Sequence, residues 1–399
     1  MKKLFLFIVL FLCSGFVICA ESFDPDSASD WNILAEKISF APYSPTIHDR
    51  TTGLTYTMWG NPAGLADGKL KIQTPSISFS DFNYAALLKK AGSDVSAVLR
   101  GDANNANYVN ILRVLLENLG MGYNSLGTVD VGLDAQIFNF AVGVDAKFSA
   151  STYGVSAGLS NVQLSPQLDW AVSVGYGRRI FENDVLSLDL GAMVRFAYRG
   201  IFHPLSGQYV FDHRDDFKLP QIVISGFTVP IDAGVSVGFL ENTLKAELTV
   251  NNINGAYHMN KYDSISDALK MRDYDSRFRD INGRIKVSTP CLLNTGVVWT
   301  PRVKVVSPMV ALDLYDIIGM FKDKELFVQH LGILGAVSVA SILDLRVGID
   351  RGYLQLGAGI GYNTNKIEIS YGFNEFGKRL ADKPVDRLTI RCRFGWYTK

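Results

Sequence analysis

Residues 186–198 read Leu-Ser-Leu-Asp-Leu-Gly-Ala-Met-Val-Arg-Phe-Ala-Tyr. Leu186, Leu188, Leu190, Ala192, Val194, Phe196 and Tyr198 alternate with Ser187, Asp189, Gly191, Met193, Arg195 and Ala197. A period of two is the signature of an extended strand, whose side chains point to opposite faces in turn. One face of this strand is greasy and the other is small or charged. The pattern recurs along the chain. Val131, Leu133, Ala135 and Ile137 alternate with Asp130, Gly132, Asp134 and Gln136. Leu168, Trp170, Val172, Val174 and Tyr176 alternate with Asp169, Ala171, Ser173 and Gly175. Ile231 to Phe239, Leu244 to Val250 and Leu388 to Trp396 repeat it.

A soluble sandwich also alternates, with its polar face in water and its apolar face in a core. Loop lengths separate the two architectures, because a membrane barrel has short turns at one end and longer loops at the other. Short connections are expected at Phe138-Asn139, Phe181–Asp184, Glu241–Thr243, Pro301-Arg302, Ser341–Leu343 and Asn363–Asn365. Longer ones are expected over 150–165, 200–220, 255–281, 316–330 and 373–386. Arg351-Gly352 is a short turn where a long loop belongs. The reading is an all-β transmembrane antiparallel barrel of about 14 strands over residues 69–399, an even number as single-chain bacterial barrels require. Tyr176, Phe239, Trp299 and Trp396 fall near the proposed periplasmic ends, and Trp170 and Tyr198 near the outer ends, where amphipathic rings meet headgroups.

Composition narrows the function classes. The 39 basic residues balance the 39 acidic ones, which argues against nucleic acid as a partner, whose usual footprint is a basic stripe. After residue 20 no apolar run approaches the length of a membrane helix. Residues 1–20 read as a signal peptide: Lys2 and Lys3, then apolar Leu4 to Ile18, with a cleavage site near Ala20. Cys19 offers a second reading as a lipid acceptor, against which stands the bulky Phe16-Val17-Ile18 before it. Of the four cysteines only Cys291 and Cys392 lie beyond this segment, and two unlinked thiols are expected. The implied location is the outer membrane, with membrane lipids as partners.

Two segments break the alternation. Residues 21–68 are rich in Asp, Ser, Pro and Thr and are expected to form a hatch inside the barrel. Asn61-Pro62-Ala63-Gly64 within it suits a capped helical turn or the turn that starts strand 1. In the insert 82–120, Val109, Leu112, Leu116 and Leu119 recur at helical spacing. This apolar face either caps the barrel mouth or collects a lipophilic ligand. The lumen is expected to carry Asp134, Asp169, Asp189, Arg195 and Arg346. Ion pairs in a wet lining are the simple expectation; an unpaired row of one sign would confer ion selectivity.

Signals of enzymatic chemistry are weak. Gly154–Gly158 and Gly234–Gly238 both match Gly-x-Ser-x-Gly, but both lie in extended stretches rather than in the strand-turn-helix setting a nucleophile elbow needs. The five histidines are scattered, without metal-ligand spacing. No enzymatic activity, metal or cofactor is expected.

The lead-in Asn61-Pro62-Ala63-Gly64-Leu65-Ala66 resembles that of the FadL/TodX superfamily, including its PorV-like and TraF-like branches. The tail adds to this: Leu345 to Tyr353, then Leu356-Gly357-Ala358-Gly359, Ser370-Tyr371-Gly372, Glu375-Phe376-Gly377 and Phe394-Gly395-Trp396. The resemblance implies a barrel of about 14 strands with an N-terminal hatch, and uptake of small hydrophobic molecules such as long-chain fatty acids. Its PorV-like branch implies instead an envelope protein partner and an accessory role in secretion or surface assembly. A general porin is the third reading.

Overall fold

The computed structural model describes residues 47–397, less 52–53, 83, 103, 105, 108, 112–113, 115–121, 155–161, 207–220, 273–284, 288, 302, 304, 324–326, 363–364, 376–379 and 383. The strands are β1 Lys71–Phe82, β2 Gly122–Ile137, β3 Phe140–Gly154, β4 Val162–Glu182 and β5 Leu186–Phe202. Three staves are each interrupted once: β6 (Val223–Thr228 and Ile231–Phe239), β7 (Leu244–Ile253 and Tyr257–Tyr262) and β8 (Ile285–Val287 and Leu292–Trp299). Then follow β9 Val306–Leu314, β10 Leu331–Val339, β11 Leu343–Asp350, β12 Tyr353–Tyr362, β13 Asn365–Glu375 and β14 Pro384–Tyr397. Each stave pairs antiparallel with its sequence neighbours, and β1 pairs with β14 from Lys71↔Tyr397 to Phe82↔Arg387. These 14 staves therefore form a closed ring without an edge. The two-residue strand Leu205–Ser206 adds onto β4.

Burial runs inside-out. Along β11, Asp344, Arg346 and Asp350 are buried while Leu345, Val347 and Ile349 are exposed, Val347 by 53%. The same inversion holds for Asp134 against Leu133 and for Ser173 against Val174. A water-soluble fold would leave such an apolar belt as a large exposed patch; hydrocarbon is the solvent that suits it. Phe140 and Tyr176 meet at 4.8 Å near the short-turn end. Trp170, Phe196, Tyr198 and Phe227 cluster near the other end, with centroid distances of 4.9–6.1 Å. No described helix is long and apolar enough to cross a membrane.

The connections sort by end. One end carries the tight turns at Phe138-Asn139, Asn183–Val185, Leu240–Thr243 and Ala340–Ile342. Leu240, Glu241, Asn242, Ala340 and Ser341 take positive φ there. Arg351 and Gly352 are both left-handed, at 50° and 89°, the geometry of a two-residue hairpin turn. This accounts for the one short connection at the long-loop end. The expected loop 255–281 is corrected by the structure: Tyr257–Tyr262 continues β7, and Ile265–Lys270 is a short helix. Left-handed Asn252 and Asn254 followed by Gly255 give the sequence of a loop, but here they make a bulge within one stave.

Inside the ring, Ile47–Thr51 and Pro62–Asp67 form 3₁₀ turns on either side of helix α1, Leu54–Trp59. Asn61 caps the second turn, its side-chain oxygen accepting from the Ala63 amide at 3.0 Å, with Pro62 at the first position. Leu54, Met58 and Leu65 are buried. Lumen-facing glycines admit this plug: a Cβ at Gly177 would come within 2.7 Å of Leu65 and 2.8 Å of the Ala66 amide, and one at Gly191 would collide with the Pro62 carbonyl. Gly191→Val therefore overpacks the plug seat, a change that costs typically ~1–3 kcal/mol. The expected result is faster proteolysis within residues 47–68 of a barrel that otherwise stays folded.

Candidate functional site

The plug is tied to the wall through groups that a strand pattern alone does not pair. Arg50 reaches β9 and β7: its Nε donates to Asp313 at 2.7 and 2.9 Å, and its Nη1 to Glu247 at 2.8 Å. The guanidinium sits 5.0 Å from the Tyr56 ring, whose hydroxyl donates to Glu247 at 3.3 Å. With a side chain only 5% exposed, this cation depends on its two carboxylates, since an unpaired buried charge is costly. Arg391 pairs with Asp49 at 3.2 Å. The Tyr397 hydroxyl accepts from the Leu54 amide at 3.4 Å. Gln136 of β2 donates to the Leu65 carbonyl at 3.1 Å, and Asn251 of β7 to the Gly60 carbonyl at 3.1 Å.

The five expected lumen charges all face inward and are buried. Asp169 accepts from Arg199 at 2.8 Å, and Asp189 from Arg179 at 2.7 Å. Arg195 pairs with Asp232 and lies 5.0 Å from the Trp59 ring of the plug. Arg346 pairs with Glu368, which also accepts from Arg393 at 2.7 Å. Asp134 accepts from Thr55 of the plug at 3.3 Å. Four of the five thus sit in opposed pairs and Asp134 is bonded to a plug hydroxyl, so these charges do not form the one-signed row that ion selectivity requires.

The charges frame an apolar seal. Met193, Ala197 and Ile201 of β5, Ile224 of β6, Tyr257 and Met259 of β7, and Val287 of β8 pack with Leu54, Met58, Trp59 and Leu65 of the plug. All of them except Trp59 are no more than 3% exposed. Sequence reasoning assigned the lumen its charges and missed this greasy constriction. Ala197 and Met193 sit on the polar phase of the alternation. Tyr257 and Met259 lie in the stretch read as a loop. The available signal was that β5 becomes apolar on both faces beyond Arg195, apart from Arg199.

The insert between β1 and β2 contains α2, Tyr84–Arg100, kinked at Ala91. Ala91, Val95 and Val98 of this helix bury Ile111 and Val114. Asp94 accepts from the side chains of Asn107 at 2.6 Å and Asn110 at 2.5 Å, and these bonds hold its carboxyl below the usual range. Of the four residues proposed to collect a ligand, Val109 is 44% exposed, turned away from this small core. Leu112, Leu116 and Leu119 lie outside the described residues. Ser236 of the second Gly-x-Ser-x-Gly match stands mid-strand in β6, not at an elbow. The first match lies largely outside the described residues. Cys291 and Cys392 are unlinked.

No family model matches the sequence, and no curated protein matches it. Among solved structures, a CymD monoaromatic hydrocarbon channel is similar at 10% identity and a TM-score of 0.44, over 90% of this chain and 99% of that one. A Pseudomonas aeruginosa FadL homologue is similar at 12% identity and 0.36, over 95% and 99%. The translocator domain of the Neisseria meningitidis autotransporter NalP is similar at 9% and 0.35, over 88% and 94%. Likeness at this level is shared by barrels of different kinds, and none of these three names points to a PorV-like or TraF-like branch. The FadL/TodX resemblance implies a ring of 14 strands, and this structure has one; of the hatch expected over 21–68, residues 21–46 lie outside the described residues, and 47–51 and 54–68 fold inside the ring.

Proposed function

We propose that this protein is an outer-membrane channel for small hydrophobic molecules. The observation that supports this reading is the apolar seal between β5–β8 and the plug. A constriction lined by Met, Ile, Val and Tyr excludes hydrated ions, which must shed water to enter it. An apolar solute loses little there, because it exchanges one hydrocarbon contact for another. A general porin needs a continuous wet path, and the plug and seal obstruct one. Long-chain fatty acids are suitable test solutes, being apolar over most of their length.

Proteoliposomes containing the full barrel take up a labelled long-chain fatty acid on this account. Ile201→Asp and Met259→Asp each place a charge in the seal. A lost tenfold corresponds to ~1.4 kcal/mol, and burying an unpaired charge costs more than that. Uptake is therefore expected to fall at least about tenfold in variants that keep the heat-dependent gel mobility of a folded barrel. Absence of uptake by the unmutated protein contradicts the proposal. Steady ion conductance in a planar bilayer would favour a porin instead.

A further inference from the structure

The plug does not fill the ring evenly. Its tight contacts with wall glycines run from β3 through β6, at Gly143, Gly175, Gly177, Gly191 and Gly234. Toward β9–β13, at the short-turn end, a cavity of about 670 Å³ remains beneath Arg50 and Thr51. This is within the ~300–1,000 Å³ of small-molecule sites. Small inward side chains, Ser307, Ala336 and Ser338, create the space. The walls differ in character. One side is apolar, from Pro301, Val303, Met309 and Ala336; the other carries Asp344, Arg346 and Lys366.

The charged wall has a cationic excess at one corner. Lys366 and Asp344 neutralise each other. Arg346 and Arg393, by contrast, share the single carboxylate of Glu368. The Arg346 side chain is only 4% exposed, yet its Nε has no hydrogen-bond partner. A buried guanidinium donor left unmade is uncommon, and an anionic acceptor is the group that satisfies it best.

We propose that this cavity is an inner binding site for an amphiphile with an anionic head. The head accepts from Arg346 Nε, and the tail lies along Met309, Ala336, Pro301 and Val303. The site lies on the turn side of the plug, so a solute released past the seal is held there before it leaves the barrel. The inference rests on the transport reading for its role, but binding can be measured without transport.

The test is photolabelling of the full-length barrel in detergent with a diazirine-bearing dodecanoate, followed by mass-spectrometric mapping. A diazirine-bearing dodecanol serves as the uncharged comparison, and a dodecyl phosphate as competitor. Labelling by the acid is expected on residues 301–309 and 336–338. It should fall about tenfold in Arg346→Gln, the ~1.4 kcal/mol of one charge-assisted hydrogen bond. Ala336→Phe, which fills the cavity and leaves every charge in place, should abolish it. Labelling by the alcohol should be weaker and insensitive to Arg346. Competition by the phosphate would identify the head requirement as general for anions; its failure would restrict the site to carboxylates. Acid labelling elsewhere, or labelling here that survives both variants, overturns the site and leaves the uptake result standing. Site-specific labelling without uptake in proteoliposomes overturns the transport reading and leaves the site standing.

Discussion

Val347→Arg lowers the stability of the bilayer-inserted barrel by about 2–4 kcal/mol, the cost of Arg at the midplane on a lipid-facing strand position. Val347 stands in the middle of β11, pairs with Gly335 and Leu356 and is 53% exposed. In a water-soluble protein, substitution of an exposed valine stays within about ±0.5 kcal/mol. The two solvents therefore give opposite expectations for one change. Val185→Arg is the control: Val185 is more exposed, at 65%, but lies in a turn at the rim. There the cost falls to about 0–1 kcal/mol. Urea unfolding from liposomes, followed by gel mobility, measures both. Equal small effects at the two positions would refute a lipid-facing belt.

Arg50→Ala has the second large effect, and it acts on the plug rather than on the ring. The change removes the cation that Asp313 and Glu247 share and leaves two carboxylates buried together. Removing one partner of a buried pair costs ~3–5 kcal/mol. The ring is held by its own ladders of backbone hydrogen bonds, so the loss is concentrated in residues 47–68. Amide exchange in α1 should speed up by two to three orders of magnitude, roughly the factor that ~3–5 kcal/mol sets, while exchange in β2–β5 stays unchanged. A planar bilayer should show flickering conductance where the parent is quiet. Arg50→Lys keeps the charge but not the fork that grips Asp313, and should fall between the two. Unchanged exchange in α1 would show that the plug is held by its apolar contacts alone.

The ring was legible because alternation is local. Each strand from β2 to β5 carries its two faces in a dozen residues, and the tight turns fall where Asn, Gly and Ser interrupt the pattern. The seal was not legible, because it is assembled by register. Met259 keeps the inward phase of Thr249 and Asn251 across the interruption at Asn252–Gly255 and then pairs with Gly226, but the polar, left-handed run between them hides that continuity. The Arg50 latch was equally hidden: its partners lie 197 and 263 residues away, and nothing in the sequence around Ile47–Thr51 names them. Asn61-Pro62-Ala63-Gly64 was legible as a capped turn but not as the piece that fills the space left by Gly191 and Gly234. Paired charges could be expected as a class, whereas Arg195–Asp232, between neighbouring staves, and Arg346–Glu368, which reaches across the glycines of β12, required the folded ring to bring them into line.

The central claim is that one face of every stave meets hydrocarbon and the other meets the lumen. Spin labels placed singly from residue 343 to 350 of the full barrel in liposomes, with Cys291 and Cys392 replaced by Ser, test it most directly. Relaxation by dissolved oxygen, which partitions into lipid, should be high at 343, 345, 347 and 349 and low at 344, 346, 348 and 350. A water-soluble nickel chelate should fail to reach the odd positions. Ready access of the chelate to 345 and 347, or oxygen access without a period of two, would contradict the account.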